Sequence, residues 1–327
     1  MTDSRLELAV ADHGLILPAE GPIALFAARR DHDLSALPKS RLEIIQPLFP
    51  DHEALARAGY DCRVAESGRY AAAVVFLPRA KAQARDLIAR AAECAELVIV
   101  DGQKTDGVDS YLKHCRKRVA VAGSLSKAHG KCFWFRDGAF PDWRAAEWQE
   151  IEGGFVTKAG VFSADGIDPA SAALAAALPD KLGRNVADLG AGWGYLSARV
   201  LERAEIETLY LVEADHLALD CARRNLSDPR ASFHWADATT WQPRARMDAV
   251  VMNPPFHTGR SAEPALGQAF IAAAAAMLAP AGRLWMVANR HLPYEATLAA
   301  RFGEVAEIAG DNRFKILRAA RPARTRG

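Results

Sequence analysis

The sequence predicts a tandem α/β protein, two units each built on a mostly parallel sheet with helices on its faces. Three observations carry this expectation. The second half of the chain alternates short β-branched runs with amphipathic Ala-rich runs, the pattern of a parallel sheet covered by helices. The first half repeats that order in a worn form. With 327 residues, the chain is too long for one average domain and suited to two.

In the second half, strands are expected at 186–189, 208–213, 232–236, 247–253, 282–288, 304–309 and 314–319. Helices are expected at 195–203, 216–226 and 263–278. The last two strands flank Gly310-Asp311-Asn312-Arg313 and should close as an antiparallel hairpin. The stretch 136–154, with Asp137-Gly138, Pro141 and two tryptophans (Trp143, Trp148), breaks the alternation and serves as the expected linker between domains at 1–140 and 150–327.

The internal repeat is explicit in the residues. Ala72-Ala73-Val74-Val75-Phe76-Leu77-Pro78-Arg79 aligns with Asp248-Ala249-Val250-Val251-Met252-Asn253-Pro254-Pro255. Each segment is followed by an Ala-rich helix and then an apolar strand, Leu97-Val98-Ile99-Val100 and Leu284-Trp285-Met286-Val287 respectively. Asp51-His52 echoes Asp215-His216. The first copy lacks what the second carries: its first strand, from Ile23, opens into no glycine loop, and Leu77 stands where the second has Asn253. The first copy is therefore expected neither to bind a cofactor nor to catalyse.

Composition excludes several classes. The 41 basic and 40 acidic residues leave a net charge of +1, so whole-molecule charge does not argue for a polyanionic partner. Two local basic runs, Lys113-His114-Cys115-Arg116-Lys117-Arg118 and Arg313, Lys315, Arg318, Arg321, Arg324, Arg326, could contact phosphates. Solvated faces explain either run equally well. The five scattered cysteines show no C-x-x-C spacing, which argues against a disulfide framework or a zinc site and for a reducing cytoplasm. No leader-like apolar core and no membrane-length apolar run is present. The expectation is a cytoplasmic monomer without a metal or a membrane anchor.

Val186-Ala187-Asp188-Leu189-Gly190-Ala191-Gly192-Trp193-Gly194 is a strand running into a glycine turn ahead of a helix, where the backbone must turn tightly and approach a ligand closely. It is not the dinucleotide pattern, because Tyr195 stands where G-x-G-x-x-G requires its last glycine. Asp188 at the strand end suits the α-amino group of an amino-acid moiety, as in S-adenosyl-L-methionine. Glu213 ends the next strand, 19 positions after Gly194, where a carboxylate can accept both ribose hydroxyls; Ala214 follows it. Asp237, with Ala238 beside it, is placed for the adenine amine, although a turn cap explains it nearly as well. Three acids at successive strand ends lie where open α/β sheets bind ligands.

The most informative stretch is Met247-Asp248-Ala249-Val250-Val251-Met252-Asn253-Pro254-Pro255-Phe256. Two prolines after a buried strand fix an extended, rigid turn. The Asn253 side chain and the Pro254 carbonyl are left as acceptors. An exocyclic amine on a planar base is a poor nucleophile, because its lone pair is delocalised. Two acceptors holding its hydrogens favour a tetrahedral nitrogen and orient the freed lone pair, which is catalysis by positioning and electrostatics. Asn253, Pro254, Pro255 and Phe256 are the expected catalytic group, with Phe256 as a ring on which an extruded base stacks. A bare Pro-Pro turn with an Asn cap is the bland alternative. His257 is expected at the rim.

These residues resemble those of the ribosomal RNA small-subunit methyltransferase C family. The likeness runs through nearly the whole chain. It is strongest in Gly160-Val161-Phe162-Ser163-Ala164-Asp165-Gly166-Ile167-Asp168, in 188–194, in Asn253-Pro254-Pro255-Phe256-His257, in Val287-Ala288-Asn289 with Leu292-Pro293-Tyr294, and in Arg313-Phe314-Lys315. In the first half, Val98-Ile99-Val100-Asp101-Gly102-Gln103-Lys104 is similar to that family's degenerate domain. The resemblance implies two tandem Rossmann-like methyltransferase domains, the N-terminal one degenerate and supporting or gripping RNA. The C-terminal catalytic one would hold a seven-stranded sheet ending in an antiparallel hairpin. It implies S-adenosyl-L-methionine as cofactor, 16S rRNA, free or within the small subunit, as partner, and the exocyclic N2 of a guanine as acceptor. Phe162 would border the cofactor and target pocket; a strand and helix cap, with Asp168 as N-cap and Pro169 first in the helix, is its plain reading. Pro169-Ala170 and Trp193 depart from the family's pattern. Adenine-N6 and protein glutamine-N5 methyltransferases share the Asn-Pro-Pro-Phe motif, and a non-catalytic RNA-binding or assembly factor is the alternative from another class.

Overall fold

The structure is a computed structural model and describes residues 4–255 and 264–323. The chain divides into two compact units: residues 1–147 with 158–160, and residues 148–157 with 161–327.

The first unit opens with helix α1 (Arg5–Asp12), whose Ser4 and Glu7 form a reciprocal capping box. Strand β1 (Ile23–Phe26), β2 (Leu42–Ile45), helix α2 (Phe49–Arg57), β3 (Asp61–Arg63), β4 (Tyr70–Phe76), α3 (Lys81–Cys94), β5 (Ala95–Gln103), α4 (Val108–Cys115), β6 (Val121–Lys127) and β7 (Gly130–Arg136) follow. The strands lie in the order β3-β2-β1-β4-β5-β7-β6. β1 to β5 pair in parallel, and β7 runs antiparallel to both β5 and β6. β1 and β4 are buried at nearly every position, as expected of strands with helices on both faces.

The second unit begins with a two-stranded ribbon, β8 (Gln149–Glu150) and β9 (Val156–Thr157), then α5 (Pro169–Ala177), β10 (Asn185–Leu189), α6 (Tyr195–Leu201), β11 (Thr208–Glu213), α7 (His216–Asn225), β12 (Ala231–Trp235), β13 (Met247–Met252), α8 (Pro264–Met277), β14 (Leu278–Asn289), α9 (Glu295–Arg301), β15 (Phe302–Gly310) and β16 (Phe314–Pro322). Its order, β12-β11-β10-β13-β14-β16-β15, is that of the first unit, strand for strand. The duplication read in the sequence is thus a duplication of topology, and the closing hairpin is antiparallel as expected.

Differences from the expected elements are small and local. β14 starts at Leu278 rather than 282, because Leu278 pairs with Met247 across a register shift before Arg283 resumes the ladder opposite Ala249. That irregularity absorbs Pro280 and Gly282. In the expected linker, Trp143 is buried among Phe140 and Tyr111 of the first unit. Trp148 belongs to the second unit, where Arg224 lies over its ring at 4.8 Å.

Order in the sheet places the site. The strand order reverses between β10 and β13, the position where open α/β sheets leave a crevice at their carboxyl edge. β10 runs parallel to β13 with Leu189 opposite Met252. The segments that leave these two strands, the glycine turn and Asn253, therefore emerge side by side.

Candidate functional site

The turn after β10 is built on glycines in the left-handed region: φ is +75° at Gly190 and +56° at Gly192, a conformation that costs other residues about 1–2 kcal/mol. The amides of Gly190 and Ala191 both donate to the Val212 carbonyl, at 2.8 and 3.2 Å. The backbone conformation, not crowding, explains the choice. A Cβ on Gly190 would lie 3.5 Å from the Phe270 ring and 3.9 Å from the Asn253 carbonyl oxygen, whereas one on Gly192 would meet nothing within 4 Å. At Gly192 the backbone borders open space.

Asp188 is 1% exposed. Its Oδ2 accepts from the Ser197 hydroxyl at 2.7 Å, while Oδ1 is buried with no hydrogen-bond partner. Burial pushes the carboxyl up to about 7, against the pull of Ser197 and with the help of the Glu213 charge. A buried acceptor without a donor is costly, and a cationic donor in the cleft relieves it. Glu213 accepts from the Gly192 amide at 2.7 Å and the Asp215 amide at 2.8 Å, so it braces the glycine turn directly. Burial raises its pKa. Asp215, the N-cap of α7, is pushed up to about 7 by burial and then by the Glu213 charge. Of these three carboxyls Asp188 lines the cleft, and its unpartnered oxygen favours a cationic donor there.

A single cleft is lined by Phe162, Ser163, Asp168, Ser171, Asp188, Gly190, Ala191, Gly192, Trp193, Tyr195, Leu196 and Asn253. Of the sequence-derived candidates, the structure brings Phe162, Asp188, Gly190, Ala191, Gly192 and Asn253 into this wall. Gly194 caps α6 with φ +93°, and Glu213 stands behind the turn. The Ala214 carbonyl accepts from the Trp235 indole at 2.9 Å. Asp237 has Oδ1 engaged by the amide and hydroxyl of Thr239, at 2.8 and 2.6 Å, so its visible role is the turn cap; Ala238 is buried beside it. Pro254 is buried and Pro255 exposed. Phe256 and His257 lie outside the described residues.

The Asn253 amide is held from one end. Its Nδ2 donates to Asp168 Oδ2 and to Ser171 Oγ, each at 2.8 Å. Asp168 Oδ2 also accepts the Ser171 amide at 2.8 Å as N-cap of α5, with Pro169 first in the helix. The cap was legible in the sequence; its contact with Asn253 was not, because nothing periodic links positions so far apart in the chain. Trp193 and Asn225 were missed as well. The Trp193 indole donates to the Phe162 carbonyl at 3.1 Å, and Asn225 Nδ2 donates to the carbonyls of Trp193 and Val156, at 2.8 and 2.9 Å. Together they fasten the segment that presents Phe162, whose side chain is 61% exposed, at the mouth of the cleft. Trp193, a departure from the family's pattern, is thus a buried anchor of the loop.

The first unit also has a cleft at the carboxyl edge of its sheet, lined among others by Arg5, His32, Phe76 and Asp101, but no glycine turn and no Asn stand there. Leu77 follows β4 where Asn253 follows β13, and it packs so closely on Gly102 that a Cβ there would come within 2.7 Å of Leu77 Cδ1. Arg5 and Asp101 form a two-pronged ion pair at 2.6 and 2.8 Å over the end of β5.

The C-terminal basic run is largely neutralised where it is described, the first run much less so. Arg313 pairs with Asp311, Lys315 with Glu295, and Arg318 and Arg321 with Glu304. Arg324 and Arg326 lie outside the described residues. Arg118 pairs with Asp142 and lies over the Trp143 ring, whereas Lys113, Arg116 and Lys117 are exposed. Among the described residues, no cluster of His, Cys, Asp and Glu is placed to hold a metal ion, and no helix is long and apolar enough to cross a membrane.

A family model for the methyltransferase small domain matches residues 152–318, just over half of the chain. The chain belongs to the methyltransferase small domain family. Its curated relatives include a ribosomal RNA small subunit methyltransferase C from Shewanella sp. (strain MR-4), 28% identical over 316 residues, covering 88% of this chain and 91% of that one. A ribosomal RNA large subunit methyltransferase G from Ectopseudomonas mendocina is 35% identical over 171 residues, covering 51% of this chain and 46% of the relative. Among solved structures, a T. thermophilus 16S rRNA N2 methyltransferase (RsmC) in complex with AdoMet and guanosine superposes with a TM-score of 0.77 at 26% identity, covering 94% of this chain and 90% of that one. That likeness spans both seven-stranded units and agrees with the resemblance read from the motifs.

Proposed function

We propose that this protein is an S-adenosylmethionine-dependent methyltransferase acting on the exocyclic N2 amine of a guanine in 16S rRNA. The observation that carries the reading is the single cleft in which the glycine turn after β10 and the Asn253 amide after β13 meet.

The residues present fit the cofactor. The unsatisfied Asp188 Oδ1 would accept the α-amino group, the open face at Gly192 leaves room for the amino-acid moiety, and Glu213, already fixing the turn, offers its remaining lone pairs to the ribose hydroxyls. Ala214, Asp237 and Ala238 lie farther along the same sheet edge, toward the adenine. When bound, S-adenosylmethionine supplies an electrophilic methyl group: the new N–C bond forms as the C–S bond breaks, and the sulfur keeps the electron pair.

Asn253 Oδ1 and the Pro254 carbonyl accept the two amine hydrogens and thereby localise the nitrogen lone pair along the attack line. Phe162 borders the pocket, and the Phe256 ring is proposed as the surface on which the extruded base stacks. After transfer the nitrogen carries a positive charge and releases its proton to water, so no strong base is required. The second unit is the catalytic domain in this reading, working in a monomer. The first, with Leu77 in place of the catalytic Asn, serves RNA binding or structural support.

Guanine N2 is preferred over adenine N6 or glutamine N5 because both the motif set and the whole-chain likeness point to the small-subunit enzymes rather than to the other users of Asn-Pro-Pro-Phe. Incubating the full chain with methyl-labelled S-adenosylmethionine and unmodified 16S rRNA or small subunits, followed by nucleoside analysis, tests this. Label in N2-methylguanosine is the expected result. Label in N6-methyladenosine or in protein would reassign the acceptor, and absence of cofactor binding would leave an assembly factor.

A further inference from the structure

We propose that Asp168 and Ser171 are positioning residues for methyl transfer: together they fix which end of the Asn253 amide faces the reacting amine. The proposal rests on the methyltransferase reading above.

An amide group presents two nearly isosteric ends of opposite hydrogen-bonding sense, a carbonyl that only accepts and an NH2 that only donates. The terminal torsion of Asn is broad and roughly two-fold, so a bare Asn after β13 would spend part of its time with Nδ2 toward the amine. In that orientation donors face donors, and the lone pair is not localised. The structure removes this freedom. Both N–H bonds of Nδ2 have acceptors, Asp168 Oδ2 and Ser171 Oγ, each at 2.8 Å. A flip would set the carbonyl oxygen against a carboxylate at the same separation, and a carboxylate has no proton to give. The opposite end, Oδ1, is thereby committed to the cleft.

The clamp is itself rigid. Asp168 is the N-cap of α5 and Ser171 is three residues on, so one helical turn places both side chains on the same side. The Ser171 amide donates to the same Asp168 oxygen that holds Asn253, at 2.8 Å, and Ser171 is buried. Bonds of this kind to a charged acceptor are the stronger class.

Capping alone would also account for Asp168, so the test must separate capping from clamping. Ser171→Ala keeps the backbone N–H that caps the helix and substitutes a better helix former. A purely structural role predicts unchanged kcat and unchanged melting. The proposal predicts a kcat lower by roughly fivefold to thirtyfold, with the KM for RNA and the cofactor Kd unchanged. The second test exchanges the two groups. Asn253→Asp sets two carboxylates against each other and should abolish transfer. Adding Asp168→Asn removes one of the two charges while its amide oxygen keeps the Ser171 amide, and the Ser171 hydroxyl is free to donate to the carboxylate at 253, so the double variant should regain on the order of tenfold over Asn253→Asp alone.

Wild-type kcat in Ser171→Ala, together with no recovery in the exchanged pair, would overturn the positioning role even if Asn253→Ala is inactive. Full transfer by Asn253→Ala would instead overturn the methyltransferase reading, and this inference with it.

Discussion

Gly190 and Asn253, on neighbouring parallel strands, approach so closely that a Cβ on the glycine would lie 3.9 Å from the asparagine carbonyl oxygen. The strand pairing enforces this proximity, since Leu189 and Met252 sit opposite each other. In the proposed reading, a methyl donor on the glycine turn and an amine at Asn253 would therefore share one small volume. The predictions below each perturb one support of that arrangement.

Gly192→Ala is expected to weaken cofactor binding at least tenfold with little loss of fold. Its left-handed φ costs Ala about 1 kcal/mol, a few degrees in melting temperature, but the added methyl projects into the open cleft. Gly267→Ala is the control, because its Cβ would meet the buried Tyr294 hydroxyl at 2.0 Å. That overpacking should lower the melting temperature by an amount corresponding to about 1–3 kcal/mol. Calorimetric binding beside thermal melts distinguishes the two.

Cofactor affinity should rise as pH increases through about 7. Asp188, raised to about 7 chiefly by burial, must be ionised to receive an ammonium group, and binding then releases a proton from the fraction still protonated. The unliganded protein should behave in the opposite sense. A carboxyl whose folded pKa exceeds its unfolded value favours the fold fully below the unfolded value, and that advantage is lost as pH climbs from about 4 to about 7. Asp215 adds to the same window. Titrations in two buffers of different ionisation enthalpy would show the proton release, and Asp188→Asn should flatten the affinity profile.

Glu213→Gln should loosen the glycine turn. The wild-type carboxylate accepts from the amides of both Gly192 and Asp215, whereas one end of a glutamine amide must present N–H to N–H. Bonds to a charged group are worth about 1.5–3 kcal/mol, so cofactor Kd should rise by roughly tenfold to a hundredfold, read directly by calorimetry.

Much of this architecture was legible in the chain, for identifiable reasons. Strands β10, β11 and β13 are short and mostly apolar, and the glycine turn after β10, the Asp215 cap after β11 and the prolines after β13 mark their boundaries. The repeat was visible because β4 and β13 keep the same run of small apolar residues, down to the Leu77 that replaces Asn253. What escaped were contacts between residues distant in sequence. No periodicity reveals that Asp168, read correctly as a helix cap, also grips Asn253, or that Asn225 ties Trp193 to Val156. The sequence left the C-terminal run open between a phosphate contact and a solvated face, because its partners, Glu295 on α9 and Glu304 on β15, meet it only in the folded unit.

Trp193→Phe should free the loop that carries Phe162. The indole N–H to the Phe162 carbonyl is lost at a cost of about 1 kcal/mol while the ring volume is mostly retained. Hydrogen exchange over residues 160–167 should accelerate and the KM for RNA should rise, with overall melting little changed.

The most direct test pairs cofactor binding with methyl transfer in Asn253→Ala. The variant should bind S-adenosylmethionine with wild-type affinity, because the Asp188 carboxylate and the glycine turn are untouched, and should lose transfer to rRNA by on the order of a hundredfold or more. Transfer at the wild-type rate with cofactor bound would contradict the assignment of the cleft.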